Sequence, residues 1–382
     1  MSEAPRLLIV ASVPETLRAF LLPYAQHFRS LGWRVDAAAR GGASDEVVTE
    51  AFDQVVDVPW SRSPLDPANL TTAAATLRAH VRQERYDLVH VHDPIAAFVT
   101  RFALRRLRRT IVVRLLYTAH CFHFFKVNAA HRNAAFYLLE AIASRWTDAQ
   151  IVINREDEAA AKRWPFASRD RVTYMPGIGV DMGRYDPAAV SEDEVRAVRA
   201  ELGLDPTSTL VTMLAEFNPG KRHRDLVDAL ARADRPELVI ALAGVGPLEE
   251  AVRAQCARLG VAERVRFLGF RTDVPVLLRA SAALALPSER EGLPRSIMEA
   301  SCLERPVIAT RIRGVTELVT PASGYVVEVG DVEGLAEALQ AVVDDPDEAA
   351  AKGRAGRVAM RTFDLAPVLR AHETLYADLL GG

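Results

Sequence analysis

The sequence predicts an α/β protein with two Rossmann-like, doubly wound domains. A chain of 382 residues is longer than one ordinary hydrophobic core accommodates, which favours two domains of similar size. Short apolar runs recur along the chain, as expected for parallel strands that are covered on both faces. Helical patterns separate these runs, and such strand–helix alternation is typical of a parallel sheet with helices on both sides.

In the first half, apolar runs and helical periods alternate regularly, and we assign residues 1–185 to one domain. Predicted strands cover residues 6–12, 33–39, 55–58, 87–92, 112–116 and 149–153, and predicted helices cover 23–31, 69–85 and 128–146. Ligands of such sheets bind beyond the carboxyl ends of the strands. His90, His92 and Asp93 end one strand, so they are expected near a cleft, although they are equally explained as polar groups at a strand end.

The second half repeats the alternation, and we assign residues 186–365 to a second domain. Its predicted strands cover 209–214, 238–243, the start of 264–274, 282–286, 306–309 and 324–327. The remaining segment, 366–382, has the period of an amphipathic helix.

Composition excludes several classes of protein. Hydrophobic residues at 49 % and charged residues at 25 % are ordinary for a globular chain, and a net charge of −3 argues against nucleic-acid binding. The cysteines, Cys121, Cys256 and Cys302, are scattered, so no disulfide framework is implied. No apolar run reaches the roughly 18 residues of a membrane span, and the first residues do not resemble a signal peptide. We therefore expect a cytoplasmic protein.

The most informative stretch of the chain is a loop and helix between two buried strands of the second half. Pro294 suits the first turn of the helix, and the free amides of Gly292 and Leu293 lie at its positive end, where phosphate binds. Glu291 and Glu299 flank this point and can accept hydrogen bonds from sugar hydroxyls. The pattern indicates a nucleotide-sugar site, and the alternative is a capped surface helix with solvated glutamates.

With Pro-Ser before it and P-V-I-A-T after it, this E-x7-E pattern resembles the retaining glycosyltransferases of family four. The resemblance implies the GT-B fold, in which two Rossmann-like domains face each other across a cleft and the last helix crosses back to the N-terminal domain. It also implies that Glu291 contacts the transferred sugar and that Glu299 binds the ribose. Glu304 departs from the family, which usually has glycine there.

The resemblance extends to the loop A-E-F-N-P-G-K-R-H, where the family places an arginine and a lysine on the donor diphosphate. Lys221 matches the lysine, but Glu216 fills the arginine position, and a carboxylate cannot neutralise a pyrophosphate. Arg222 or Arg295 could compensate. The alternative for Lys221 is a solvent-exposed lysine at the start of a helix.

Two further segments of the second domain resemble the donor site of the family. Gly244 and Gly246 belong to a G-x-G-P-L turn, which lets backbone approach a ligand closely. The backbone around Phe270 and Arg271 corresponds to the loop beside the nucleobase.

In the first domain, His120 follows a predicted strand, and the resemblance assigns it to the donor sugar, with His123 as the second choice. Cys121 replaces a glycine that is usual there. A metal site at His120, Cys121 and His123 is disfavoured because two ligands would be adjacent and a fourth is absent. No metal and no other cofactor is expected.

A basic segment spans Thr100 to Arg114 and has no acidic residue. It can contact anionic lipid headgroups or the phosphate of a lipid-linked acceptor, and the alternative is a solvated helix face followed by a core strand. The arginines that we assign to this acceptor or membrane contact are Arg105, Arg106, Arg108 and Arg109, with His123 beside them.

The segments A-H-C-F-H-F-F-K, I-N-R-E-D-E and P-G-I-G-V-D resemble bacterial transferases that act on undecaprenyl-diphosphate-linked sugars. The resemblance therefore implies a retaining transferase that moves a sugar from a UDP-type donor to a lipid-linked saccharide in cell-surface polysaccharide synthesis. Such an enzyme would work at the cytoplasmic face of the membrane, in peripheral contact with its inner leaflet. A soluble acceptor, a sugar-nucleotide epimerase or a phosphorylase of the same fold, and a non-catalytic nucleotide-sugar-binding protein are the alternatives.

Overall fold

A computed structural model describes residues 4–61, 63, 66–120, 122, 130–163 and 171–381. The chain divides into two compact units. Unit 1 comprises Met1–Ile178 and Pro367–Gly382, and unit 2 comprises Gly179–Ala366.

The described strands of unit 1 form a parallel sheet in the order β3-β2-β1-β4-β5-β6-β7. These strands are β1 Arg6–Val10, β2 Arg34–Ala39, β3 Val55–Asp57, β4 Leu88–Val91, β5 Arg114–Ala119, β6 Ala149–Val152 and β7 Val172–Tyr174. The helices of this part of the chain are α1 Pro14–Thr16, α2 Leu22–Ser30, α3 Glu46–Ala51, α4 Thr72–Glu84, α5 Pro94–Leu104, α6 Ala130–Ser144 and α7 Arg155–Arg163. The strand order reverses between β1 and β4, which is where doubly wound sheets bind their ligands.

Unit 2 has the same architecture, with the strand order β10-β9-β8-β11-β12-β13. Its strands are β8 Thr209–Leu214, β9 Leu238–Ala243, β10 Val265–Gly269, β11 Ala283–Leu286, β12 Val307–Thr310 and β13 Gly324–Val327. Its helices are α8 Glu192–Glu201, α9 His223–Arg232, α10 Glu249–Leu259, α11 Val274–Ala280, α12 Arg295–Cys302, α13 Val315–Leu318, α14 Val332–Asp344 and α15 Pro346–Met360. Here the order reverses between β8 and β11. The predicted fold class, two Rossmann-like α/β domains, is confirmed.

The last helix, α16 Leu365–Leu380, starts in unit 2 and continues into unit 1 from Pro367. Within unit 1, the Tyr376 ring stacks on Phe28 at 4.7 Å between centroids, and His372 meets Tyr24 edge-on at 4.9 Å. Burial of these aromatic side chains fixes the end of the chain on unit 1.

Two local predictions need correction. Strand β5 begins at Arg114 instead of residue 112, because its pairing with β4 starts at Arg114, opposite Leu88, and Val112 is 88 % exposed. The predicted helix 23–31 is preceded by the short α1 and a π-helical turn, Leu17–Leu21. A π-helical turn within a helical region frequently marks a functional site.

Glu304, the departure from the family glycine, has a left-handed backbone with φ of 58°. This conformation costs an ordinary residue about 1 kcal/mol and costs glycine almost nothing. Since Glu304 follows α12, the departure affects local stability and leaves the first turn of α12 unchanged.

Candidate active site

The loops after β8 and β11 meet at the switch point of unit 2. Both strands end at the same edge of the sheet because they are parallel neighbours. The backbone N–H of Glu289 donates to the carbonyl of Gly220 at 2.9 Å and joins the two loops. Lys221 in the first loop and Glu291 in the second are thereby brought together, although 70 positions separate them in the sequence.

Lys221 and Glu291 form an ion pair, with 2.6 Å between Nζ and Oε1. The lysine side chain is 26 % exposed and the glutamate side chain 10 %. A cation and a carboxylate are therefore held side by side with partial access to solvent. Such a pair offers one group to a phosphate and the other to a sugar hydroxyl.

Beside this pair, the N-terminus of α12 is open to an anion. Pro294 is the residue before the first helical turn and makes no side-chain cap hydrogen bond, and the first turn contains no acidic residue. Pro294 thus precedes the helix that it was predicted to open, and the helix proper begins at Arg295. The backbone amides of a first helical turn and the positive end of the helix dipole favour a phosphate group at this point.

Gly314 determines the position of the loop that leads into α12. A Cβ atom on Gly314 would lie 1.8 Å from the carbonyl oxygen of Gly292 and 3.3 Å from the nitrogen of Leu293, and its φ is +77°. Only glycine allows this approach. Nothing in the sequence near the E-x7-E pattern indicates this contact, because Gly314 lies beyond the next strand.

Glu299 is buried in α12 and has two described partners. The Tyr185 hydroxyl donates to Oε1 at 2.7 Å, and Nε of Arg295 lies 2.8 Å from the same oxygen. Burial raises the pKa of Glu299, while Arg295 and Tyr185 act in the opposite direction. Tyr185 was not among the predicted site residues, since a lone tyrosine in a predicted linker gives no sequence signal.

The two arginines that could compensate for Glu216 are both paired. Nε of Arg222 lies 2.6 Å from Oδ2 of Asp225, and Arg295 is bound to Glu299. Glu216 itself accepts a hydrogen bond from the Asn218 side chain at 3.1 Å. Arg222 is next to Lys221 in the loop, whereas Arg295 forms an ion pair with Glu299, the residue that is predicted to bind the ribose.

The glycine turn at Gly244 and Gly246 packs against protein backbone. A Cβ atom would lie 2.0 Å from the Ala215 carbonyl at Gly244 and 2.7 Å from the Phe217 backbone at Gly246. The sequence explained these glycines by close approach to a ligand. The structure offers a second explanation, because both glycines let the turn pack against the loop that carries Lys221.

The predicted nucleobase segment follows β10. The Phe270 side chain is 77 % exposed, and Arg271 forms ion pairs with Glu201 at 2.5 Å and Asp273 at 2.6 Å. These ion pairs raise the pKa of Arg271 and keep its side chain on protein carboxylates. The backbone of this segment remains the part predicted to contact a base.

In unit 1, His120 follows β5 and is joined to His92, with 3.0 Å between His120 Nε2 and His92 Nδ1. His92 in turn lies against His90, with ring centroids 4.2 Å apart. Burial lowers the pKa of all three imidazoles, and the Asp93 carboxylate raises the pKa of His120 in the opposite direction. Neutral rings share one proton in the His92–His120 hydrogen bond, so His92 influences which nitrogen of His120 carries a proton.

The arginines of the basic segment have different surroundings. Arg101 is buried and binds Glu140 in two hydrogen bonds of 2.9 and 3.2 Å. Arg108 pairs with Asp148, and the Arg105 guanidinium lies 3.5 Å from the centre of the Phe102 ring. Arg106 and Arg109 are exposed.

The segment also lies at the end of α5 and before β5, hence near the amino ends of the strands. The contact of Arg105, Arg106, Arg108 and Arg109 with an acceptor or a membrane stays a prediction. His123 and Cys121 lie outside the described residues.

In the described parts of the chain, no three His, Cys, Asp or Glu side chains are grouped as a metal site requires. The same residues include no helix with the length and hydropathy needed to cross a bilayer.

Solved structures with the same architecture identify the fold. The Anabaena protein Alr3699/HepE, solved in complex with UDP and glucose, superposes with a TM-score of 0.83 at 22 % identity, over 98 % of this chain and 100 % of that one. Sucrose-phosphate synthase from Thermosynechococcus elongatus gives a TM-score of 0.82 at 20 % identity, over 98 % and 99 %. The fold is therefore that of GT-B glycosyltransferases.

Sequence relatives identify the family. Residues 194–358 match the family described as glycosyl transferases group 1, and residues 17–177 match a glycosyl transferase 4-like domain. The putative glycosyltransferase EpsD of Bacillus subtilis (strain 168) is 31 % identical over 375 residues, which are 97 % of this chain and 96 % of that protein. The chain belongs to the family-four glycosyltransferases of the capsular and exopolysaccharide type, and it is a sugar-transferring enzyme.

A second relative has a more specific name. The UDP-Gal:alpha-D-GlcNAc-diphosphoundecaprenol alpha-1,3-galactosyltransferase of Escherichia coli is 28 % identical over 271 residues, which are 69 % of this chain and 68 % of that protein.

Replacing Gly314 by alanine should displace the loop at Gly292 and weaken UDP binding about ten-fold or more, the equivalent of one lost charge-assisted hydrogen bond. Gly260→Ala is the control, because Gly260 also has a positive φ, +72°, but has no atom within 4 Å of an added Cβ. Titration calorimetry with UDP measures both. Equal affinities in the two variants would contradict the assigned role of Gly314.

The stability of unit 1 should fall as the pH is lowered. Burial lowers the pKa of His372 to about 4, and it lowers those of His90 and His92 well below the usual value. Below the ordinary histidine pKa of about 6.5, the unfolded chain binds protons that the folded unit excludes. Each of these histidines therefore lowers the free energy of unfolding by about 1.4 kcal/mol for every pH unit below that value, and this loss disappears above pH 7.

Urea unfolding at a series of pH values, followed by tryptophan fluorescence, measures this effect. The signal reports unit 1 alone, since all four tryptophans, Trp33, Trp60, Trp146 and Trp164, belong to it. His372→Gln should reduce the slope below pH 6.5 and leave the slope above pH 7 unchanged. If the free energy of unfolding has the same pH slope in the wild type and in His372→Gln at acid pH, His372 does not contribute to the acid sensitivity of unit 1.

Proposed function

We propose that this enzyme is a retaining glycosyltransferase that moves a sugar from a UDP-sugar to a hydroxyl of a lipid-linked saccharide. The reaction would serve cell-surface polysaccharide synthesis at the cytoplasmic face of the membrane. The observation that carries the proposal is the Lys221–Glu291 ion pair of 2.6 Å beside the uncapped N-terminus of α12. A cation, the positive end of a helix and a carboxylate are together the groups that a nucleotide-sugar requires.

In the proposed reaction, the diphosphate leaves with negative charge, and Lys221 and the first-turn amides of α12 stabilise it. Fixed positive charge aimed at developing negative charge is usually the largest catalytic contribution. Glu291 accepts hydrogen bonds from the transferred sugar, and Glu299 accepts them from the ribose. His120 orients the sugar, as the family resemblance implies. These groups supply the electrostatic stabilisation without a metal, so the proposal expects activity in the presence of a chelator.

The proposed donor and acceptor rest on the named relatives. The E. coli relative is named for UDP-Gal and for a diphosphoundecaprenol-linked acceptor, and the Anabaena structure holds UDP and glucose. A Corynebacterium glutamicum relative, 34 % identical over 203 residues and half of this chain, is named GDP-mannose-dependent. The base of the donor is therefore the point at which the relatives differ.

Saturation-transfer NMR with UDP-, GDP- and ADP-sugars, followed by donor hydrolysis in a chelating buffer, tests the proposal. One UDP-sugar should bind and be hydrolysed slowly, Glu291→Ala should abolish this hydrolysis, and Lys221→Ala should lower its rate about 100-fold. Lys352→Ala is a matched control, because Lys352 binds Glu348 and the Pro321 carbonyl in the same unit.

Two results would overturn the proposed donor chemistry: binding of a GDP-sugar alone, or a Lys221→Ala variant as active as the Lys352→Ala control.

For the acceptor, transfer to an undecaprenyl-diphosphate-linked sugar is expected to exceed transfer to a water-soluble glycoside. The reverse preference would favour the soluble-acceptor alternative.

A further inference from the structure

Two histidines of unit 1 lie at the carboxyl ends of neighbouring parallel strands. His92 follows β4 and His120 follows β5. The backbone N–H of His92 donates to the carbonyl of Val10 at 2.8 Å, which fixes the position from which its side chain starts. The imidazole Nδ1 of His92 lies 3.0 Å from Nε2 of His120. His92 is therefore joined directly to the histidine that the proposed function assigns to the sugar of the nucleotide-sugar.

The contact between the two rings can hold its proton in two ways. A neutral imidazole has one N–H and one nitrogen with a lone pair. Burial lowers the pKa of both histidines, so both rings are neutral near pH 7. Either Nδ1 of His92 donates to Nε2 of His120, or Nε2 of His120 donates to Nδ1 of His92. The choice decides which group each ring carries on its other nitrogen.

The other nitrogen of His92 distinguishes the two arrangements. His92 is 1 % exposed, and its Nε2 is closed to solvent and has no hydrogen-bond partner among the described residues. If His92 accepted the hydrogen bond, its proton would be on this Nε2 as a buried N–H without an acceptor, which is rare in folded proteins. If His92 donates from Nδ1, Nε2 carries a lone pair, and an unpaired acceptor is less rare than an unpaired donor. The structure therefore favours His92 as the donor.

His90 holds the His92 ring in place and cannot exchange a proton with it. The centroids of the two rings are 4.2 Å apart. Both nitrogens of His90 are occupied by hydroxyl groups: Nδ1 lies 2.6 Å from the Tyr376 hydroxyl, and Nε2 lies 2.7 Å from Oγ1 of Thr118. The proton of His92 is thus shared with His120 alone among the described residues.

This arrangement determines the proton of His120 as well. Because Nε2 of His120 accepts the hydrogen bond, its own proton is on Nδ1. Within the part of the chain that the structure describes, no group forms a hydrogen bond with this Nδ1. His120 therefore presents an N–H donor, and a sugar hydroxyl oxygen can accept from it.

We propose that His92 is a positioning residue that keeps the proton of His120 on Nδ1, so that His120 offers a hydrogen-bond donor to the sugar of the UDP-sugar. The inference rests on the proposed function, which assigns His120 to that sugar, and deepens it by naming the residue that sets the protonated nitrogen. In this role His92 acts through His120 and needs no contact with the substrate.

NMR of the full-length protein, labelled with ¹⁵N in its nine histidines, measures the proton position directly. Protonated and unprotonated imidazole nitrogens have well-separated ¹⁵N shifts, and the His120 ring is assigned by its absence from the spectrum of His120→Gln. At neutral pH the wild type should show a protonated Nδ1 and an unprotonated Nε2 at His120. His92→Leu removes the hydrogen-bond donor and should move the proton toward Nε2, the nitrogen that carries it in most histidine side chains in water.

Hydrolysis of the UDP-sugar measures the consequence for the reaction. His92→Leu should lower kcat/KM about ten-fold, the equivalent of one lost hydrogen bond, and should leave the affinity for UDP, which has no sugar, unchanged. His92→Asn keeps an N–H at the place of Nδ1 and should restore most of the rate. His80→Leu is the matched control, because His80 is also bound to a side chain of unit 1, with 2.7 Å from its Nε2 to the Tyr86 hydroxyl. This variant should keep the wild-type rate and the wild-type proton position at His120.

The inference fails if wild-type His120 carries its proton on Nε2, if His92→Leu leaves that proton in place, or if His92→Asn is as slow as His92→Leu. The first of these results needs no variant, so a folding defect in His92→Leu does not remove the test. The two measurements also separate the two levels of the account. A wild type without UDP-sugar hydrolysis would refute the proposed function, whereas an active wild type with a protonated Nε2 at His120 would refute only the role of His92.

Discussion

The ion pair between Lys221 and Glu291 is the interaction on which the candidate donor site depends. It joins the loops after β8 and β11 at the switch point of unit 2, and it brings together the two side chains that the proposed reaction uses for different parts of one ligand. In the absence of donor, the lysine neutralises the carboxylate. In the proposed reaction, Lys221 exchanges a protein carboxylate for a phosphate oxygen when the diphosphate binds, and Glu291 exchanges an ammonium group for sugar hydroxyls.

The switch points of the two units carry different charged side chains. In unit 2, Lys221 lies in the loop beside the first turn of α12, which has no side-chain cap, and this arrangement favours an anion. In unit 1, a cavity at the corresponding switch point contains Glu15 and Asp93 against a single guanidinium, Arg40. The same strand order thus supports a lysine beside the start of a helix in unit 2 and an excess of carboxylates over cations in unit 1.

Local patterns made much of the fold predictable. Strands such as Thr209–Leu214 and Leu238–Ala243 have the predicted bounds because they are buried apolar runs. The neighbourhood of Lys221 and Glu291 was implied by the resemblance, which assigns both residues to one donor. Contacts between distant backbones were not predictable: Gly314 supports the loop at Gly292, and Gly244 packs on Ala215 although its motif indicates a ligand. The partners of Arg108 were equally hidden, since its carboxylate, Asp148, lies beyond the segment.

The most direct measurement of the exchange is the affinity of UDP, which lacks the sugar, for wild type and Glu291→Gln. The account predicts that the variant binds UDP roughly two- to five-fold more tightly, because Lys221 no longer has to leave a carboxylate and such a partly exposed pair is worth about 0.4–1 kcal/mol. Calorimetry at low ionic strength provides the comparison. Equal or weaker UDP binding by Glu291→Gln would contradict the account, since it would show that Lys221 is not released from Glu291 to the diphosphate.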